Sequence, residues 1–269
     1  MSNIIIPELN PIKLFEITTD TWEYCKILWE NKRRYFQKYI TADTLRFQII
    51  IPSESVITSF AALLVIDDND TGTSIPMSAI GANSGDVTYE GVKALAGLAG
   101  KHLVKIVFGL PENGEIIVYS EPIEILSSSD NTVLIQYGND VNDFDLIFQP
   151  YLHEAKIFDF RVEGCFPSDG FKPSSVDDVY IDQSHNTTML SSIPFNINQF
   201  QFGGEYGCPN WIADKFNRIL SCNNVTIDGV PYTKSEGSKL EPARTENYAL
   251  AGWKIDLIKS ENNYSLLIT

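Results

Sequence analysis

The chain of 269 residues has little of what most sites of chemistry are built from. It holds three histidines, His102, His153 and His185, and none has a second metal ligand two or four residues further on. A zinc or iron centre needs three or four converging ligands, so this spacing predicts no metal site. Four cysteines, Cys25, Cys165, Cys208 and Cys222, lie far apart with no CxxC pair, which predicts free thiols in a reducing compartment. There is no Gly-x-Ser-x-Gly elbow, and no cysteine carries a nucleophile signature. The glycine-rich Gly203-Gly204-Glu205-Tyr206-Gly207 lacks the Lys-Ser/Thr of a phosphate loop and reads as a flexible loop before a helix. No spacing among the acidic residues selects a carboxyl pair for glycoside hydrolysis. The sequence therefore singles out no catalytic, cofactor-binding or metal-ligating residue, and the expectation is a protein that is not an enzyme and uses no cofactor.

Long apolar runs are absent too. The longest, Phe60 to Ile66, is far short of the roughly 20 residues a membrane helix needs. The segment Met1–Pro7 lacks the cationic start of a secretory signal, and its apolar run is three residues long. Positive charge is scarce: 20 Lys and Arg face 35 Asp and Glu, a net charge of −15. The deficit is spread, with 10 cations against 16 acids in residues 1–126 and 10 against 19 in residues 127–269. Counterion-release binding needs clustered cations, so nucleic acid is not an expected partner; the short apolar runs likewise leave a membrane outside the expected partners. The one basic run, Lys32-Arg33-Arg34, reads as a solvated edge or loop.

What the chain has in quantity is strand pattern. Period-two alternation marks Pro11–Ile17 and Asp43–Ile49, the latter placing Leu45, Phe47 and Ile49 on one face. A further strand runs over Val56–Ile66 into the turn formers Asp67-Asp68-Asn69-Asp70-Thr71-Gly72. That acidic turn has EF-hand-like oxygens, but position 12 is Ser78 where a bidentate Glu is needed, so a solvated turn is the reading. Leu98-Ala99-Gly100-Lys101-His102 precedes the alternating Leu103–Phe108. It is similar to the tyrosine-corner turn of immunoglobulin- and fibronectin-like domains, with His102 in the tyrosine's place. Asn113-Gly114 predicts a two-residue hairpin turn, and Ile116–Ile125 a closing strand that lies at an edge or breaks at Pro122.

A polar break, Ser127–Asn131, is the expected linker between residues 1–126, an immunoglobulin/fibronectin-like β-sandwich, and residues 132–269. The second unit is expected to be β-rich with one short amphipathic helix at about 209–221, opened by Pro209. Its strands fall at Val133–Tyr137, Ile157–Val162, Val225–Tyr232 (a hairpin around Asp228-Gly229), Trp253–Ile258 and Tyr264–Ile268. Pro167–Gln183, rich in Ser, Asp and Pro, reads as a long loop. The fold class is thus mainly β, with two β-sandwich-type domains. The aromatics Trp22, Trp29, Tyr35, Phe36 and Tyr39 fit either a sugar-stacking platform or, as the favoured reading, a core or subunit interface.

Tyr39–Gln48, Ser120-Glu121-Pro122-Ile123, Phe160-Arg161-Val162-Glu163-Gly164, the Ile227–Tyr232 hairpin and the Trp253 strand together resemble segments of virion structural proteins from tailed phages and prophages of Bacteroidetes, crass-like phages among them. The resemblance implies a component of a tail, baseplate, collar or fibre attachment, located in the virion and made in the host cytoplasm. Its partners would be copies of itself and other virion proteins. The alternative from another class is a carbohydrate-binding or adhesin-like β-sandwich protein of a gut bacterium, with a glycan as partner.

Overall fold

The computed structural model describes residues 4–16, 35–55, 57–66, 72–83, 85–111, 114–150, 154–244 and 250–260. The chain is mainly β. In the first half the strands are β1 (Leu14–Glu16), β2 (Gln37–Ile40), β3 (Thr44–Ile51), β4 (Ser59–Val65), β5 (Thr73–Ile75), β6 (Met77–Asn83), β7 (Asp86–Ala94), β8 (Gly100–Gly109), β9 (Glu115–Ser120) and β10 (Ile123–Leu126). The second half has β11 (Thr132–Gly138), β12 (Phe158–Cys165), β13 (Phe171–Ile181), β14 (Thr187–Phe202), the helix α1 (Asn210–Ile219), β15 (Asn224–Ile227), β16 (Val230–Lys234), β17 (Glu241–Arg244) and β18 (Ala251–Lys259).

The alternation in β3 buries Leu45, Phe47 and Ile49 completely. β3 is an outer strand of a small antiparallel sheet ordered β3-β7-β6, so this apolar face needs a cover from outside that sheet. The cover comes from β4, β8 and β9, whose Leu64, Val104, Ile106, Phe108 and Val118 join the same buried cluster. β8 is paired on one side with β4 and on the other with β9, then β10. The closing strand does break at its proline: β9 stops at Ser120 and β10 starts at Ile123, because Pro122 has no N–H to give the ladder. β8 and β9 form the expected hairpin with a different turn. They end at Gly109 and Glu115, leaving a five-residue connection closed by Leu110 N–H donating to the Gly114 carbonyl at 2.7 Å, while Asn113 lies outside the described residues.

A second buried cluster gathers Val133, Ile135 and Tyr137 of β11, Phe158, Phe160 and Val162 of β12, Phe200 and Phe202 of β14, and Ile212, Phe216 and Ile219 of α1. The helix spacing read from the sequence puts those three side chains on its buried face, and Pro209 takes the N-cap position just before the helix. β15 and β16 are joined by Asp228 and Gly229 alone, with φ of 47° and 76°, the left-handed pair a two-residue hairpin requires. β18 pairs with β14, β16 and β17; Tyr264–Ile268, the partner expected from the sequence, lies outside the described residues.

Residues 127–131 make a tight connection in which Asn131 has φ 59° and Thr132 N–H donates to the Ser129 carbonyl. The two clusters are also joined through the sheet. β10 pairs in parallel with β2, and β2 touches β12 at Lys38 and Arg161. A polar seam runs beside this junction. Arg161 holds Asp43 through two hydrogen bonds of 2.7 and 2.8 Å, both side chains buried. Glu90, also buried, takes Arg46 at 2.8 Å and Lys156 at 3.2 Å. Gln48 and Ile147 exchange two bonds of 2.8 and 2.9 Å. The N-terminal segment threads between the clusters. Ile12 belongs to the first and Leu9 to the second, while the Asn10 side chain pairs with the Gln48 backbone and the Asn10 carbonyl accepts from Lys215.

Candidate functional site: a projecting two-stranded arm

The stretch Pro167–Gln183 is largely a strand and not a loop. After one 3-10 turn at Ser168–Gly170, β13 runs for 11 residues in antiparallel register with β14. The departure from the sequence expectation has a physical reason. A strand packed on nothing shows no buried-face alternation, and Ser, Asp and Pro are tolerated where only the ladder must be kept. The turn formers Asp182–Asn186 and the alternating Ile193, Phe195 and Ile197 are the signals that could have revealed it. In the turn the Asp182 carboxylate accepts from the N–H groups of Ser184 and Asn186, and His185 takes φ 63°.

β14 pairs with β18 only from Ile197 onward, and β13 has β14 as its sole strand partner among the described residues. Beyond Pro173 and Asn196 the ribbon therefore extends past the body of the sheet by about 30 Å, at about 3.3 Å per residue. Among the described residues no further strand pairs with either outer edge of this distal part. Pro173 and Pro194 deny N–H groups to the ribbon near its base, whereas the distal part, residues 174–181 and 187–193, has no proline.

The register fixes which side chains share a face. One face carries Val176 opposite Ile193, Phe195 opposite Ser174, and Tyr180 opposite Thr188. The other carries Val179 opposite Met189, Ile181 opposite Thr187, and Asp177 opposite Ser192. Leu190 is the extra residue where the register shifts. Seven large apolar residues of this distal ribbon (Val176, Val179, Tyr180, Ile181, Met189, Leu190 and Ile193) are between 40% and 65% exposed. That apolar content is spread over both faces. At roughly 100 Å² each they present about 700 Å² in all, divided between the two faces, so that each face by itself is comparable with the roughly 300–600 Å² of the largest patch on an ordinary monomer. A two-stranded ribbon with neither face covered is marginal in water by itself.

The arm is also anionic. Between Pro173 and Asn196 it has Asp177, Asp178 and Asp182 and no Lys or Arg. Hydrogen bonds from Ser192, then Ser175, hold the Asp177 carboxyl below its ordinary pKa, and Asn186 does the same for Asp182.

Two concavities elsewhere are lined by described residues. One, of about 300 Å³, lies between the N-terminal segment and α1. Its cations are already engaged: Arg218 with Glu8 at 2.7 Å and Asp214 at 2.9 Å, Lys215 with the carbonyls of Asn10 and Pro11, and Lys13 with Glu121 at 3.9 Å. Burial, then the nearby Lys13, pushes Lys215 down to about 7. The other, of about 400 Å³, sits at the base of the arm, where Lys172 pairs with Asp256 at 2.9 Å and Lys254 with Glu241 at 3.1 Å.

His102 and His185 are far apart in the fold, the first in β8 and the second at the tip of the arm, and His153 lies outside the described residues. Among the described residues no group of three His, Cys, Asp or Glu side chains converges, and no helix is long and apolar enough to cross a membrane. Cys208 and Cys222 are packed thiols, pushed up to about 12 and about 11, chiefly by burial. Cys165 is exposed, and Cys25 lies outside the described residues. Of the five aromatics weighed as a sugar platform, Phe36 and Tyr39 are buried and Tyr35 is half-buried against the second cluster. Trp22, Trp29, the Lys32–Arg34 run and the turn at Asp67–Thr71 lie outside the described residues. The glycine-rich segment before α1 is a fixed turn: Gly203, Gly204 and Gly207 have φ of 112°, 58° and 77°, and a Cβ on Gly207 would sit 2.7 Å from the Ala251 backbone. Compared with family models, with curated proteins and with solved structures, the chain matches none.

Proposed function

We propose that this chain is a non-enzymatic structural protein that works by protein–protein docking. On the resemblance of its segments to tailed-phage proteins, we assign it to a virion, in the tail, baseplate, collar or fibre attachment. The observation that carries the docking reading is the β13–β14 arm, apolar on both faces, projecting from the sheet and, among the described residues, without a further strand on either edge of its distal part. Such a ribbon costs solubility and adds nothing to either core, so its use lies in contact with another chain. In this reading residues 1–126 are an immunoglobulin/fibronectin-like sandwich. The two facing sheets support it, and so does His102, whose Nε2 lies 2.8 Å from the Leu98 carbonyl and takes the part of the corner tyrosine. Residues 132–269 form the second unit, built around its own cluster and bearing the arm.

The test is composition. Mass spectrometry of particles purified by density gradient from the cells that produce this chain is expected to find it at a fixed ratio to the major structural proteins. Finding it only among unassembled soluble proteins overturns the virion assignment. Selective glycan binding by the isolated chain, reversed by free competing sugar, points to the adhesin-like alternative.

A further inference from the structure

In a chain of net charge −15, the cavity of about 300 Å³ between the N-terminal segment and α1 carries more cation than anion on its walls: Lys13, Lys215 and Arg218 against Glu8 and Asp214. We propose that it binds a small carboxylic acid with a short aliphatic body, the carboxylate held by the ammonium groups of Lys215 and Lys13 and the body lying against Ile6, Ile12 and Leu14. This site goes beyond the docking reading and does not depend on it.

Lys215 is buried, and among the described residues no carboxylate pairs with it. Glu8 and Asp214 both hold Arg218, and Glu121 reaches Lys13 only at 3.9 Å. The partners of Lys215 are two neutral oxygens, the carbonyls of Asn10 and Pro11. An ammonium has three N–H donors, so among the described residues one is left over. A carboxylate is the stronger acceptor for it, because both groups of the bond are then charged. Lys13 and Lys215 lie 5.6 and 5.2 Å from the centre of the Trp211 ring, so the two cations share one end of the cavity. The remaining walls are apolar: Ile6, Pro7, Ile12 and Leu14. A bare anion would leave them in water, which calls for a ligand with an apolar body. The volume stands at the lower end of ligand pockets and limits that body to a handful of carbons.

Binding and protonation are then coupled. Around Lys215 stand Lys13, Glu8 and Glu121 of other segments and Asp214 and Arg218 of α1, and Lys13 is the one whose charge bears on it. Burial, then Lys13, leaves the amino group half-neutral at about pH 7. A bound carboxylate opposes both causes, so it draws a proton onto Lys215, and by reciprocity the protonated form binds it better.

Hexanoate is the probe, with hexanamide as its uncharged counterpart. Isothermal titration calorimetry of the full chain at about pH 7 should give one saturable site for hexanoate, with a Kd of about 1 mM or tighter. Hexanamide should bind at least about tenfold more weakly. Affinity for hexanoate should fall at least about tenfold between about pH 7 and 9, and titrations in buffers of different ionisation heat should show proton uptake. Lys215→Met should lose binding by at least about tenfold, and Lys13→Gln, at a half-exposed position, by about threefold or more. Lys172→Gln, at the base of the arm, should bind like the unaltered chain. Hexanamide binding as tightly as hexanoate, an affinity indifferent to pH, or Lys13→Gln and Lys215→Met chains that bind like the unaltered one would each overturn the proposal. So would the absence of saturable heat up to about 10 mM hexanoate. If Lys215→Met does not fold, the hexanamide comparison and the pH series on the unaltered chain decide. None of these outcomes involves the arm, so the docking reading stands or falls separately.

Discussion

Lys215 shows how a single side chain sets a condition on the whole fold. It is buried in α1 and gives its amino group to the carbonyls of Asn10 and Pro11, fastening the N-terminal segment. The fold releases its proton near pH 7, whereas in the unfolded chain it stays bound to about 10.5. Unfolding between those values therefore takes up a proton, and stability rises with pH across the window. Lys234, also lowered by burial, works in the same sense. The thiols Cys208 and Cys222 act in the other sense, but only above their ordinary 9.0. Urea unfolding should accordingly show the chain gaining stability between about pH 7 and 9. Lys215→Met should remove most of that rise. An equal slope in the variant would show that the proton belongs to another group.

At the scale of the element, the β15–β16 hairpin isolates backbone conformation from packing. Gly229 has φ 76°, and a Cβ added there would have nothing within 4 Å, so replacing it tests the left-handed turn and little else. Gly229→Ala should cost about 1–2 kcal/mol in denaturant unfolding, the ordinary penalty for an L-residue there. Gly229→Asn should cost clearly less, since asparagine tolerates that region. Equal losses would contradict the turn type. This hairpin is legible in the sequence because Asp-Gly between apolar runs carries its own geometry. β3, β8, β11 and β12 are legible because each is half-buried and alternates. α1 is legible through Ile212, Phe216 and Ile219. β13 is not, since its side chains are almost all exposed and its sequence is under no demand to alternate. The arm, the part most concerned with the proposed function, hides from sequence reading for the same reason that it is proposed as a docking element: its side chains are exposed. The turn expected at Asn113-Gly114 departs in another way, because the strands stop short of it and leave a five-residue loop that includes Pro111.

For the whole molecule, the seam between the two clusters decides whether they hold together. Asp43 and Arg161 lie at its centre, buried, doubly bonded and 118 residues apart in the chain. A buried pair contributes little net stability, but removing one partner strands the other's charge and costs about 3–5 kcal/mol. Arg161→Met should lose stability on that scale by urea unfolding, and adding Asp43→Asn should recover part of it. The asparagine removes the stranded charge while keeping an acceptor for the Ile40 N–H, which now donates to Asp43 at 2.9 Å. A loss under about 1 kcal/mol for the single change would mean that water reaches the site.

The threading of residues 9–12 between the clusters has a consequence for synthesis. Asn10 emerges from the ribosome 205 residues before Lys215, the side chain that donates to its carbonyl. Leu9 emerges 128 residues before Tyr137, whose hydroxyl donates to the Leu9 carbonyl. This segment thus waits through the synthesis of those 205 residues for its final seat, and a nascent chain stopped before α1 leaves it unfastened.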